Sequence, residues 1–204
     1  MVKEGYWYGL PLLLASAGLF ALRLWIPAVF FLVVAVFVLN FFRDPERSIP
    51  HDPEAVVSPA DGHVVEIKRE PFEGRPAERI SIFMSPLDVH VNRAPGAGVI
   101  RKVSYHPGSF KVASKPEASV ENEYNLFSIE SERGLLHVKQ IAGAVARRIV
   151  FWKHEGDILA RGDRVGLIKF GSRVDLLVEP QLEWRVQVGE YVRAGSTILG
   201  FFKT

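Results

Sequence analysis

The sequence predicts a mainly β protein, a compact barrel or sandwich of short hairpins, preceded by an N-terminal transmembrane helical segment folded as a hairpin. Three observations carry this expectation. The first 42 residues hold only three charges, Lys3, Glu4 and Arg23. After residue 43, eleven prolines and many glycines cut the chain into short pieces with no long helical period. A glycine-turn pattern also recurs near the C-terminus: Gly156-Asp157, Gly162 and Gly166 are echoed by Gly189-Glu190, Gly195 and Gly200.

The N-terminal segment holds two apolar runs. Leu24 to Phe42 is free of charge for 19 residues, close to the ~20 that a spanning helix needs. Tyr6 to Leu22 is a second run of 17 residues. Tyr6, Trp7, Tyr8 and Trp25 have the character of interfacial anchors. A secretory signal fits poorly, because the apolar region is too long and no small-residue cleavage site precedes the polar part. One kinked span competes with a hairpin of two helices. The hairpin puts Lys3 on the side of Arg43 and Arg47, and the positive-inside bias makes that side cytoplasmic. The expected domains are therefore a 1–42 anchor in the cell membrane and a 43–204 β domain on its cytoplasmic face.

Within the β domain, "HVVEIK" from His63 and "RISIFM" from Arg79 read as strands. In Arg173 to Glu179, apolar Val174, Leu176 and Val178 alternate with Arg173, Asp175 and Glu179, a period of two. The hairpin repeats suit a small barrel like those of lipoyl-carrier and hybrid-barrel domains, which is an architectural analogy only.

Composition removes several functions. The formal net charge is +2 and the charges are interspersed, so no basic face is available for nucleic acid. The densest basic cluster, Arg147, Arg148 and Lys153, suits a solvated strand face or anionic lipid headgroups. With no cysteine, disulfides, thiolate nucleophiles and zinc ribbons are excluded together. The six histidines form no ligand pair, and "HEGDI" lacks the second histidine of a zinc-protease helix, so no metal is expected.

Three constellations could carry chemistry. "SPADG" places Asp61 at a turn, which ordinary hairpin chemistry also explains. "FMSPLDVHVNRAPG" places His90 after a strand that breaks at Pro86, flanked by Asp88, Asn92 and Arg93, where it could act as a general base or have no role. "IKFGSRVDLL" interrupts a strand with Gly171 and Ser172, which by itself marks a bulge or a close backbone approach.

Taken in order along the chain, these pieces resemble the phosphatidylserine decarboxylase family. "FFRDPER", "SPADGHVVEI", "SPLDVHVNRAPG", "YHPGSF", "ENE" and the Gly171–Ser172 pair occur in the family's order and cover nearly the whole chain. The short chain and "FGSR" are similar to the compact branch of archaea and many bacteria. The resemblance implies a proenzyme in which the Ser172 hydroxyl attacks the Gly171 carbonyl. The resulting ester would resolve into fragments 1–171 (beta chain) and 172–204 (alpha chain), leaving residue 172 as a covalent pyruvoyl group. His90 would be the base for Ser172 and Asp61 would orient its imidazole. The pyruvoyl carbonyl would form a Schiff base with phosphatidylserine and act as electron sink for loss of CO₂.

The partners implied are phosphatidylserine in the membrane and the two fragments as a heterodimer; a homo-oligomer is compatible. Many bacterial members have a second histidine where this chain has Arg93, so His90 would serve both steps, or Arg93 would hold a substrate carboxylate or phosphate. His106, Asn122 and Glu123 are further substrate-binding candidates, each with an equally good structural reading. Two alternatives stay open: a membrane-anchored adaptor or carrier built on lipoyl-like repeats, and a pyruvoyl enzyme acting on another amino acid.

Overall fold

The computed structural model describes residues 1–113, 118–144, 148–169, 171–179 and 182–203; Arg147 of the basic cluster and Phe170 of the "FGSR" motif lie outside them. The chain divides into two compact units, Met1–Glu46 and Arg47–Thr204.

The first unit is a pair of helices, α1 (Lys3–Ala21) and α2 (Trp25–Phe41). Small residues let them approach: a Cβ on Gly9 would fall 2.4 Å from the Leu39 side chain, and Ser16 donates to the Ala28 carbonyl at 2.8 Å. Arg23 takes a left-handed conformation (φ 60°) in the turn between them. No helix among the described residues is long and apolar enough to cross a membrane. The transmembrane expectation counted Leu24 to Phe42, but Leu24 and Phe42 cap the helix and leave 17 helical residues. At a rise of ~1.5 Å per residue these span roughly 26 Å, short of a hydrocarbon core of ~30 Å. Most side chains of α2 are nonetheless apolar and exposed, including Trp25, Ile26, Phe30 and Val33.

The second unit is mainly β. It begins with β1 (Ala55–Val57), β2 (Gly62–Phe72), β3 (Arg75–Met84), β4 (Val91–Arg93) and β5 (Gly98–His106). A single helical turn, α3 (Ala118–Glu121), precedes β6 (Tyr124–Ser131) and β7 (Gly134–Ile141). There follow β8 (Ile149–Phe151), β9 (Ile158–Leu159), β10 (Arg164–Ile168), β11 (Ser172–Val178), β12 (Leu182–Trp184), β13 (Tyr191–Val192) and β14 (Ile198–Phe202). An eight-stranded antiparallel sheet runs β13-β2-β3-β11-β7-β6-β5-β9, and two three-stranded sheets run β1-β14-β12 and β4-β10-β8. The large sheet curls without closing, a half-barrel rather than the closed barrel or sandwich expected. Bulges at Val64/Glu66 and Ile100/Lys102 bend its two outer hairpins.

The glycine repeat read from the sequence is half of a larger one. Gly62 and Gly98 have φ of 151° and 156°, and a Cβ on either would strike the carbonyl oxygen of Phe83 or Glu130 in the neighbouring strand. Val64 and Ile100 then make matching bonds, accepting from Gly189 and Gly156 and donating to Glu190 and Asp157. The hairpin β2–β3 thus corresponds to β5–β6, and the sheet β1-β14-β12 to β4-β10-β8. In one half a tight turn joins the paired residues Ser131 and Gly134 directly. In the other, the corresponding pair is Met84 and Ser172, and the chain between them builds the whole second half. The Gly171–Ser172 bond is therefore the point where one half-fold, inserted into a hairpin of the other, returns.

Inward residues of β11, Val174, Leu176 and Val178, join Ile80, Ile82 and Phe127 in the core. The opposite face of β11 is also buried, and it is ionic. Asp175 accepts from Arg173 Nε at 2.7 Å and from Ser119 Oγ at 2.7 Å, and lies 3.2 Å from Arg79. Both arginines also reach Glu66 and Ser81. Burial works against the Arg79 charge, but Asp175, Glu70 and Glu66 outweigh it and hold the guanidinium above its ordinary value.

Candidate active site

Two chain connections share their flanking strands at the junction of the sheets. One leads from β3 to β4 and carries His90; the other leads from β10 to β11. At one end Ser172 pairs with Met84; at the other the Ile168 N–H donates to the His90 carbonyl at 3.4 Å. The segments that carry His90 and Ser172, far apart in sequence, are thus tied together at both ends.

Ser172 is fully buried at the first position of β11. Its hydroxyl donates to the Met84 thioether at 3.4 Å and has no oxygen or nitrogen partner among the described residues. The preceding Gly171 is left-handed, with φ 44°, a conformation that glycine adopts without strain. Its carbonyl oxygen lies where a side chain on Gly143 would stand: a Cβ there would come within 1.9 Å. Gly143 thus leaves room for the Gly171 carbonyl. Replacing it, Gly143→Ala, should displace that carbonyl and slow chain cleavage at least tenfold while the thermal transition moves little; gel separation of precursor and fragments reads this directly.

His90 is buried, and its Nδ1 lies 3.0 Å from the Asp88 carbonyl. A carbonyl only accepts, so Nδ1 carries the proton in the neutral ring and Nε2 carries the lone pair of a base. The Asp88 carboxylate fixes the loop that presents His90, accepting from the Ser85 N–H at 2.7 Å and from the Tyr191 hydroxyl at 2.8 Å. Burial, followed by the Asp88 carboxylate, pushes the Tyr191 phenol up to about 12, so it remains a donor.

Asp61 does not make the expected contact with the imidazole. Both of its oxygens accept from the partly buried Arg47, at 3.0 and 2.8 Å, and Oδ1 also accepts from the Ala194 N–H at 2.7 Å. Burial raises its pKa against the pull of Ala194 and Arg47, and the charge of Asp88 adds to the rise. The "FFRDPER" motif thus supplies a guanidinium that takes the place read from the sequence as belonging to His90.

The substrate-binding candidates separate. Arg93 is buried, and its guanidinium donates to the Gly162 carbonyl at 3.0 Å between the two repeat turns. The alternation of β4 sends it away from Asn92, whose amide reaches Met84. His106 stacks on Tyr124 with centroids 4.4 Å apart and touches Ser104, but neither Ser172 nor His90. Asn122 is a buried clamp: its Nδ2 donates to the Lys111 and Ala142 carbonyls at 2.8 Å, and its Oδ1 accepts from the Lys111 N–H at 2.8 Å. It thereby holds the residue next to Gly143. Glu123 shares this strap, its carbonyl accepting from the Ala142 N–H at 2.9 Å.

Gly143, Met84, Arg47, Gln140 and Tyr191 were not read from the sequence as site residues. Gly143 sits in the small-residue run "IAGA", and Arg47 in a motif already singled out. Nothing in the sequence marks Gln140, which reads as one more outward polar residue of a strand.

A sealed serine behind a left-handed glycine, in a unit that also buries a histidine of fixed tautomer, suits an enzyme rather than a carrier or adaptor. Comparison with known proteins agrees: residues 34–200 match the family model described as phosphatidylserine decarboxylase. The chain belongs to the phosphatidylserine decarboxylase family. It is 48% identical over 199 residues to the phosphatidylserine decarboxylase proenzyme of Solibacter usitatus, covering 98% of this chain and 95% of that one. The proenzyme of the same name from Salinibacter ruber is 54% identical over 175 residues, covering 82% and 77% of the two chains. That from Magnetococcus marinus is 44% identical over 209 residues, covering 100% and 95%.

Proposed function

We propose that this chain is a phosphatidylserine decarboxylase proenzyme that cuts itself at Gly171–Ser172 and then converts phosphatidylserine to phosphatidylethanolamine and CO₂. The observation that carries the reading is the geometry of the bond itself: a buried Ser172 hydroxyl follows a Gly171 carbonyl lodged against Gly143.

His90 takes the Ser172 hydroxyl proton as Oγ attacks the Gly171 carbonyl carbon. The amide nitrogen of residue 172 leaves, regains a proton, and an ester remains. Loss of the Ser172 Cα proton then breaks Cβ–Oγ, and the Gly171 carboxylate departs with the electron pair. Water replaces nitrogen at the new double bond, ammonia leaves, and residue 172 becomes a pyruvoyl group. That group supplies a ketone electron sink for decarboxylation of an amine-bearing substrate. Asp88 holds the His90 loop throughout, and Arg47 keeps the Asp61 carboxylate in place at the 58–61 turn.

The fragments 1–171 and 172–204 should stay together as a heterodimer. In the short fragment β11 lies between β3 and β7, β13 pairs with β2 and β14 with β1. Tyr191 and Ala194 add side-chain bonds to Asp88 and Asp61. For the apolar helix pair we favour seating in the cell membrane from the cytoplasmic side without crossing it, supported by the exposed side chains of α2.

Intact-mass measurement of the purified protein should show two chains broken before residue 172. A single unbroken chain with full decarboxylase activity would rule out the mechanism. CO₂ release should be far faster from phosphatidylserine than from free serine; equal rates would favour an enzyme of soluble amino acids. His90→Ala should slow cleavage ~10²–10⁴-fold, and a variant that cleaves at the normal rate removes His90 from this step.

A further inference from the structure

A chain of three buried side-chain amides ends at Ser172. Asn125 Nδ2 donates to Gln140 Oε1 at 3.1 Å, and Gln140 Nε2 donates to Asn92 Oδ1 at 2.9 Å. All three side chains are at least 96% buried. With Asn125 donating, Gln140 Oε1 accepts and its Nε2 donates, which leaves Asn92 Oδ1 as the acceptor. Asn92 therefore aims its NH₂ group at Met84, whose sulfur lies 3.7 Å away. The same sulfur accepts the Ser172 hydroxyl at 3.4 Å. Among the described residues, a thioether is the sole acceptor for both groups, and it is a weak one. A strong, oriented donor is thus held in a dry site beside the serine with almost nothing to donate to.

We propose that Asn92 is the hydrogen-bond donor for the Ser172 Oγ during self-cleavage, a role that rests on the processing reaction described above. Negative charge gathers on this oxygen twice. It does so first as Oγ loses its proton to attack the Gly171 carbonyl carbon. It does so again as Cβ–Oγ breaks and the oxygen leaves within the Gly171 carboxylate, taking the electron pair. Donors preorganised in a water-free site act most strongly on charge that develops in the transition state. Met84 suits the resting state: its unbranched, adaptable side chain can yield the sulfur's place to the amide. Gln140 and Asn125 act through Asn92 and are positioning residues.

The test uses the full chain made by cell-free synthesis, with a labelled pulse followed by measurement of fragment 1–171 over time. The unaltered chain is run first; if it does not cleave, the processing reading itself fails and Asn92 with it. If it cleaves, Asn92→Leu should slow the reaction about 100-fold, with an unchanged near-ultraviolet circular dichroism spectrum. Cleavage of Asn92→Leu within twofold of the unaltered rate overturns the proposal. Asn92→Asp nearly preserves shape and decides the matter alone if the leucine variant does not fold. Its carboxyl can accept from Gln140, and can donate an O–H only when protonated. Its cleavage should therefore speed up as pH falls through the carboxylate range, whereas a base-assisted reaction slows. A merely structural role would leave the pH profile of Asn92→Asp parallel to that of the unaltered chain, and that result overturns the proposal.

Discussion

Ser172→Ala leaves one unbroken chain of 204 residues without decarboxylase activity. The expectation is all-or-none because no other nucleophile can substitute. The chain has no cysteine, and the hydroxyl is the only group of residue 172 that can reach back to its own preceding carbonyl. Background hydrolysis of an amide would not produce a ketone, since the pyruvoyl carbon skeleton comes from the serine itself. The fold should survive. Ser172 contributes one weak bond to a thioether, and alanine fits the same buried strand position. The thermal transition should shift by the equivalent of about 1 kcal/mol at most. Mass spectrometry and release of labelled CO₂ check the two losses together. Retained cleavage would move the reaction to another bond, and retained activity in an uncleaved chain would end the pyruvoyl account. The uncleaved variant also gives a single-chain background on which stability can be measured without fragment dissociation.

The repeat and the interruption at Gly171 were legible because both rest on glycine. Gly156, Gly162, Gly189 and Gly195 all have positive φ at turns, and turn chemistry is local. Gly171 announced itself by interrupting an alternating strand. The register that sets Ser172 opposite Met84 could not be read, because it joins residues 88 positions apart. Asp61 was visible as a turn residue, but its partner Arg47 lies 14 positions away in a motif read only for its charge and its place in the family's order. The strand Arg173 to Glu179 misled in another way. Its alternation was correct, yet it suggests one dry face and one wet face, and both faces of β11 are buried. An alternating pattern records side-chain polarity, not exposure, and an ion cluster satisfies the polar face without water. The apolar N-terminal runs were also correctly seen, but counting apolar residues overstated helix length by including both caps of α2.

That ion cluster carries the second large effect: Asp175→Ala should destabilise the folded precursor by ~3–5 kcal/mol. Asp175 is fully buried between two arginines that are 1% and 3% exposed, so removing it leaves their charges balanced only by the partly exposed Glu66 and Glu70. Glu66 still reaches both guanidiniums, at 3.2 and 2.8 Å, but it is partly exposed and cannot replace the buried carboxylate. A domain has only ~5–15 kcal/mol to lose, so Asp175→Ala should lower the urea midpoint severely on the Ser172→Ala background. The loss comes from isolating charge, not from losing attraction, and this separates it from ordinary truncation. Replacing Arg79, Arg173 and Asp175 together by apolar residues of similar volume should therefore recover most of the stability that Asp175→Ala forfeits. If the triple variant is no more stable than the single one, the cluster holds β11 by specific geometry rather than by charge balance. The distinction reaches the proposed cleavage site, because Arg173 adjoins Ser172 and its bonds to Asp175, Glu66 and Ser81 anchor the strand that begins there. With processing restored at residue 172, an apolar replacement that is stable but cleaves slowly would show that these ions set the position of the serine more than they stabilise the fold.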